Sequence, residues 1–300
     1  MEVMVNDNPI CTGHLFGFTK LMTSLKTKYK NCAILLALDG IDVSRRMANE
    51  SYKADREHDY RVDVEMDELL DMCSLVDGVF TCYDPDYEAD DVIGSVVQEV
   101  YRLCKKNNIP KQINILSTDK DMYQLIRDDE SVPIHSILKF SNPPEIVDES
   151  VVRDKFNGVS PKDLVKFRAI VGDSSDNLSG YYRFRKANAA IIAENFDYDE
   201  EKQLLYLKPG VQYDPKWAKF LPTIADNMNT FRTNYSIMKL KKFDFEIIPI
   251  SDRHSLSDEE LSQEYASIFG IIKKYQLNQY LTSIRSGRYT RYGRSFLANN

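Results

Sequence analysis

The 300-residue sequence contains no uninterrupted apolar run near the roughly 18 residues that a membrane-spanning helix needs. Residues Met1 to Asn8 carry no basic start followed by an apolar stretch, so no secretory leader is expected. Cysteine is scarce and odd in number: Cys11, Cys32, Cys73, Cys82 and Cys104. They are widely spaced and include no CxxC pair, which argues against both a disulfide framework and a zinc site. Four of them (Cys32, Cys73, Cys82, Cys104) sit in apolar runs, as buried thiols do, which suits a reducing cytoplasm. The four histidines, His14, His58, His135 and His254, show no ligand spacing and read as packing or surface residues. Positive charge is in deficit, with 39 Lys and Arg against 46 Asp and Glu, a net charge of −7 and a pI near 5.3. Taken alone this weighs against nucleic-acid binding, unless the acidic groups themselves hold cations. There is no internal repeat and no long low-complexity segment.

What remains is a globular composition, 43% hydrophobic and 28% charged. It is long enough for one large domain, or a domain with an appendage, around a sizeable core. The strongest feature is a set of three acidic clusters, each at the end of an apolar run: Tyr87-Glu88-Ala89-Asp90-Asp91, Ser117-Thr118-Asp119-Lys120-Asp121 and Gly172-Asp173-Ser174-Ser175-Asp176-Asn177. A lone Asp-x-Asp is most simply a helix cap or a solvated turn. Carboxylates gathered in one place repel, and some are forced to hold protons unless a cation neutralises them. Hard oxygen donors favour Mg²⁺ or Mn²⁺, and two such ions on an acidic floor commonly serve phosphodiester cleavage.

Periodicity locates the clusters. Leu15, Phe18, Met22, Leu25 and Tyr29 recur at helical spacing over 14–29. The run 33–38 reads as a buried parallel strand ending at Asp39-Gly40. The very polar stretch 42–63 is followed by an expected helix over 64–76, a strand Val79 to Tyr83 and a strong helix over 89–106. Gln112 to Ser117 is a third strand, with a short helix after Asp121. This alternation predicts an α/β fold with a mainly parallel sheet. Such sheets place their sites at the carboxyl ends of strands, where Asp39 and the first two clusters fall. From about 148 the pattern turns helical. Ser160-Pro161 opens a helix over 161–170, another spans 186–196, and 257–282 is helical again. The polar stretch 197–222, with Pro209, Gly210, Pro215 and Pro222, reads as a loop or excursion. The tail Arg285 to Arg294 is basic and aromatic. Phosphate contacts, with Tyr289 and Tyr292 stacking on bases, compete there with a frayed terminus.

With these residues placed, the chain resembles the 5′-nuclease family: the 5′→3′ exonuclease domain of bacterial DNA polymerase I, phage 5′-exonucleases and flap endonucleases. The matching segments are Thr12-Gly13-His14-Leu15-Phe16-Gly17-Phe18, Leu38-Asp39 with Arg45-Arg46, Tyr52-Lys53-Ala54-Asp55-Arg56, Glu88 to Gly94, Ser117 to Met122 and Gly172 to Asn177. They run in the family's order over about residues 10–196. The resemblance implies a PIN-like α/β nuclease core over residues 1–147, with a helical arch near 42–63 in competition with an ordinary surface loop. It further implies a helical DNA-binding region with a C-terminal extension over 148–300.

The resemblance also assigns roles. Asp39, Glu88, Asp90 and Asp91 lie near a first ion, and Asp119, Asp121, Asp173 and Asp176 near a second. The ions, Mg²⁺ or Mn²⁺, stand about 4 Å apart, one lowering the pKa of a water and the other stabilising the departing oxygen. Lys53 and Arg46 polarise the scissile phosphate, with Arg45 able to fill the same role. Arg56 clamps a phosphate, and Tyr52 stacks on a base or packs against the helix.

Two departures stand out. Family members begin with a strand carrying an Asp-Gly, farther before the Thr-Gly motif than the eleven residues present here. A metal ligand and a central strand are therefore expected to be missing, through a shortened start, supply by another chain, or a weakened enzyme. The family's Gly-rich hairpin reads here Gly180-Tyr181-Tyr182-Arg183-Phe184-Arg185-Lys186. Two expected glycines are arginines, so the close backbone approach that holds K⁺ in the family is expected to be lost. Arg183, Arg185 and Lys186 are expected to contact DNA phosphates directly. The implied function is metal-dependent hydrolysis at 5′ ends or flaps of DNA, RNA primers in hybrids included. The setting is replication or repair, with replication proteins as partners, in the cytoplasm of a bacterial or phage-infected cell. Two rivals stand beside it: an inactive DNA-structure-binding protein of the same fold, and an RNA-directed PIN-like nuclease.

Overall fold

The computed structural model describes residues 2–5, 8–11, 13–29, 32–40, 43–49, 52–53, 79–139, 141, 143–245 and 248–249. The chain divides into two compact units, the first drawn from Met1–Leu36, Glu57–Cys82 and Glu246–Asn300, the second from Ala37–Arg56 and Tyr83–Phe245. The expected helices over 64–76 and 257–282, the basic tail and most of 42–63 lie outside the described residues.

In the first unit, β1 (Glu2–Val5) and β2 (Asn8–Cys11) form an antiparallel hairpin that periodicity did not suggest. Helix α1 (Gly13–Lys28) begins one residue before its expected range. Strands β3 (Ile34–Ala37) and β4 (Val79–Cys82) are neighbours, and Ile248–Pro249 pairs antiparallel with β4 on its other side. Met22 and Val79 are buried together, with Phe18, Leu25, Ile34 and Leu36 packed around them, so the helical spacing did report a core face.

The second unit holds the three acidic clusters and the helices and turns on which they lie. Helix α2 (Val43–Ala48) lies within the polar stretch of the expected arch. Helix α3 (Ala89–Lys106) buries Val92, Val96 and Val97 along one face. It places Asp90 and Asp91 in its first turn and Lys105 and Lys106 in its last, as the helix dipole favours. A glycine inside a helix costs about 1 kcal/mol relative to alanine. Gly94 is there because the Leu240 side chain rests on it, 3.0 Å from where a Cβ would stand.

Strand β5 (Ile113–Leu116) runs parallel to β6 (Ile134–Lys139), which pairs antiparallel with β7 (Glu145–Val147). A 3₁₀ turn, Lys120–Leu125, follows β5. The architecture is α/β with parallel and antiparallel ladders.

Beyond β7 come α4 (Glu149–Lys155), a 3₁₀ turn at Pro161–Asp163, α5 (Leu164–Val171) and α6 (Lys186–Asn195). Ser160 does not cap a backbone N–H; its hydroxyl donates to Asp163 Oδ2 at 2.9 Å. The stretch 197–222, expected as a loop, contains the antiparallel hairpin β8 (Phe196–Asp199) and β9 (Leu204–Leu207), a 3₁₀ turn at Pro215–Lys219 and α7 (Leu221–Asp226). Its charged turn hid the strands: Asp199 Oδ1 accepts from Lys202 N–H, and Leu205 and Leu207 alternate inward against exposed Leu204 and Tyr206. Helix α8 (Met228–Met238) buries Phe231 in a core with Phe167 and Ile170 of α5 and Ile192 of α6. The buried Asn234 amide donates to Ala169 O and Ser179 O, tying α8 to both ends of the third acidic turn.

Candidate metal centre

Three aspartates at the site, Asp39, Asp119 and Asp173, each accept a backbone N–H at the start of a helix or turn. Asp39, two residues past β3, accepts from Ala89 N–H through Oδ1 at 2.7 Å and so caps α3 from outside its own segment. Asp119 caps the 3₁₀ turn after β5, its Oδ1 accepting from Asp121 N–H at 2.8 Å. Asp173 does the same for Ser175 N–H at 2.8 Å. The cap role available to any isolated Asp is therefore real here. In Asp39 and Asp119 it engages one oxygen and leaves the second for a ligand.

The third turn is tight for a backbone reason. Asp173 and Leu178 exchange both N–H···O bonds at 2.8 Å, with Asn177 left-handed between them. A Cβ on Gly172 would stand 2.3 Å from Gly180 N, and one on Gly180 would stand 1.9 Å from Val171 O. Only glycine allows the two strands of the turn to touch.

These elements enclose a cavity of about 450 Å³. Six carboxylates, Asp39, Glu88, Asp90, Asp119, Asp173 and Asp176, line it against three cations, Lys53, Lys120 and Arg168. One carboxylate oxygen each from Asp90, Asp119 and Asp121 lies within 4.8 Å of the others. Burial pushes the Asp90 carboxyl up to about 6; the Asp119 charge adds to this, Lys53 opposes it, and Asp39 and Glu88 contribute further. Burial also works to raise Asp173, but hydrogen bonds from Ser175 and Arg168 outweigh it and hold that carboxyl below its ordinary value. The donors are hard oxygens without histidine or cysteine, a set that fits Mg²⁺ or Mn²⁺ better than a soft metal.

Residues 2–157 match the family described as 5′-3′ exonuclease, N-terminal resolvase-like domain. The chain belongs to that family. A 5′-3′ exonuclease of Buchnera aphidicola subsp. Acyrthosiphon pisum is 30% identical over 190 residues, which are 61% of this chain and 60% of that protein. DNA polymerase I of Synechocystis is 29% identical over 183 residues, 57% of this chain and 17% of the polymerase. The chain thus spans less than two thirds of these curated relatives. A variant of bacteriophage T5 flap endonuclease, solved with DNA and metal ions, superposes with a TM-score of 0.51 at 17% identity, covering 86% of this chain and 90% of the other. That likeness establishes the fold.

In this 5′-3′ exonuclease family member, the remaining expected site residues take several places. Asp91 does not line the cavity: it is fully buried, its two oxygens accept from Arg45 at 2.7 and 2.8 Å, and Oδ1 also accepts from Lys241 N–H at 2.7 Å. Arg45, expected at a phosphate, is equally enclosed; its Nε donates to Ile237 O and its third contact is Glu88 Oε2 at 2.9 Å. That same Glu88 oxygen accepts from Tyr52 Oη at 3.1 Å and Lys53 Nζ at 2.8 Å. Tyr52 is buried against Leu178, Ile237 and Met238, and burial with the Glu88 charge pushes its phenol far above the ordinary range. It packs, and so does not present its ring for stacking. Lys53, left-handed at φ 52°, lies at the cavity wall.

Arg46 lies on α2, where the structure describes only its backbone, and Arg56 lies outside the described residues. Arg183, Arg185 and Lys186 are exposed around the start of α6. Beside them Tyr182 is 79% exposed, with the Arg183 guanidinium 5.0 Å from its ring centroid.

One cavity residue was not singled out from sequence. Arg168, buried on α5, lines the cavity and pairs with both Asp121 and Asp173. Its signal was a charge inside the apolar run Leu164-Val165-Lys166-Phe167-Arg168-Ala169-Ile170, where a partner is obligatory.

Proposed function

We propose that this chain is a metal-dependent 5′ nuclease that hydrolyses phosphodiester bonds at 5′ ends or 5′ flaps of DNA, RNA primers in hybrids included, in replication or repair. The observation that carries the proposal is the meeting of Asp90, Asp119 and Asp121 oxygens within 4.8 Å, the first two of them lining a cavity whose carboxylates outnumber its cations. Family membership and the names of the relatives support the same activity, and the DNA and metal ions of the T5 complex support its substrate and cofactor class.

Asp39, Glu88, Asp90, Asp119, Asp121, Asp173 and Asp176 are the proposed ligands for two Mg²⁺ or Mn²⁺ ions, some through water. Bound there, the cations supply Lewis-acid charge to the scissile phosphate and to the attacking water. Asp91 is proposed as a positioning residue: it fixes Arg45, which with Tyr52 and Lys53 holds Glu88 Oε2 in place. Lys53 Nζ is the proposed donor to the phosphate oxygens as charge builds on them, and Arg46 is proposed for the same role. Arg183, Arg185, Lys186 and the helices beyond residue 147 are proposed to hold the duplex through its phosphates, with no base-specific contact required.

Titrating Mg²⁺ or Mn²⁺ against a labelled 5′-flap duplex tests this. Cleavage that saturates with the ion is expected. Binding without cleavage at every metal concentration would replace the proposal with a structure-specific DNA-binding protein. Preference for single-stranded RNA over the flap would point to the RNA-directed class.

A further inference from the structure

We propose that Arg168 is a built-in counter-ion that neutralises Asp121 and Asp173 and thereby weakens the binding of a second divalent cation between them. The inference rests on the metal-dependent reading above and gives that site an internal asymmetry.

Arg168 sits on the buried side of α5, 6% exposed, between Phe167 and Ala169, which are both core residues. Its two terminal nitrogens go to carboxylates from separate elements: Nη1 faces Asp121 in the 3₁₀ turn after β5, and Nη2 faces Asp173 in the turn after α5. Asp121 Oδ1 is shut off from solvent, so the guanidinium beside it is the charge that it meets. A guanidinium never gives up its proton in a protein, and its planar fork suits two acceptors at once. The positive charge is therefore permanent and its position is set by the helix.

The other acids are compensated differently. Lys53 and Lys120 line the same cavity, but Lys53 Nζ goes to Glu88 Oε2 at 2.8 Å, and among the described residues Asp90 and Asp119 form no ion pair. A buried arginine bridging two carboxylates cannot withdraw when a cation arrives. A cation at Asp90 and Asp119 thus meets oxygens that no cationic side chain touches, although the Lys53 charge acts on Asp90 from a distance. One shared by Asp121 and Asp173 must compete with a fixed unit charge in contact with the same oxygens.

The test is a Mn²⁺ titration of the full chain without DNA, following the paramagnetic signal of free Mn²⁺. The wild type should bind one ion tightly and a second more weakly. Arg168→Met, and Arg168→Gln, which keeps donors but drops the charge, should both tighten the second ion by about tenfold or more, the scale of removing an opposite charge in contact with a carboxylate. Arg168→Lys should stay within about threefold of the wild type, because charge governs the effect. Melting temperatures give an independent measure: the neutral variants should melt lower without cation and gain more from Mn²⁺ than the wild type does. An unchanged or weaker second ion in a folded neutral variant overturns the inference while leaving the first ion, and the nuclease reading, intact. A wild type that binds no Mn²⁺ at millimolar concentration removes both.

Discussion

Helix α5 has a charged network at each end, and the two differ in balance. At its start Asp163 is buried with Lys166 at 2.7 Å and Lys208 at 2.9 Å, and both lysines also approach Asp197. Ser160 Oγ completes the set. Two cations meet two carboxylates and hydrogen bonds satisfy the rest. Toward its other end, Arg168 faces a cavity in which six carboxylates outnumber three cations. The first network closes on itself and ties α5 to the β8–β9 hairpin through the Lys166 contact to Phe196 O. The second remains open to an incoming charge. Buried ionic groups close together are thus no sign of function by themselves; the sign is a surplus of one charge that the protein does not cancel.

Substitutions at the two ends should therefore fail in different ways. The largest effect is expected for Asp119→Asn, at the open end. Loss of outer-shell partners of a metal costs roughly ten- to a hundredfold, so loss of a ligand should lower kcat by more than about a hundredfold. Flap binding and melting temperature should stay near wild type, since Asn can still cap the turn. Retained full activity would take Asp119 out of the site.

Asp163→Ala, at the closed end, should do the reverse. It leaves two lysine charges with only the half-exposed Asp197 to share and should cost about 3 kcal/mol of stability in denaturant unfolding. Cleavage per folded molecule should remain. A loss of turnover in the folded fraction would show the two networks to be coupled through α5.

Lys53→Ala is expected to reduce turnover by about ten- to a hundredfold in single-turnover assays with flap affinity little changed. If affinity alone fell, Lys53 would be a positioning contact.

The smallest effect is one of pH. Burial works to raise the Asp163 pKa, but Lys166, Lys208 and Ser160 outweigh it, so the folded value lies below the unfolded one. That contribution to stability is present above the ordinary Asp value of about 4 and is lost as pH falls through the folded value. Melting temperature followed from pH 6 downward should therefore fall more steeply in the wild type than in Asp163→Asn. Parallel curves would remove Asp163 from the account of acid lability.

Much of this was legible before any coordinates. The apolar periods of α1 and α3 and the short runs of β3, β4 and β5 set those elements to within a residue or so. Asp39, Glu88, Asp90, Asp119, Asp173 and Asp176 were singled out for their place at element ends, and they line one cavity. The β8–β9 hairpin was not legible, because its four-residue strands are too short to set a period against a charged turn and nearby prolines. Nor were the destinations of the buried cations. Arg45 and Arg46 are adjacent in a polar stretch, and nothing in their order says that Arg45 turns to Asp91, forty-six residues away.

The order of residues by itself determined which faces are buried, where elements begin and end, and that several acids would stand at those ends, because side-chain periodicity and turn chemistry act over a few neighbours. Only the tertiary structure decided that Asp91 serves Arg45, that Tyr52 packs, and that Arg168 stands among the acids, because a charge is compensated by whatever lies within a few ångströms in space, and that distance is set by packing rather than by position along the chain.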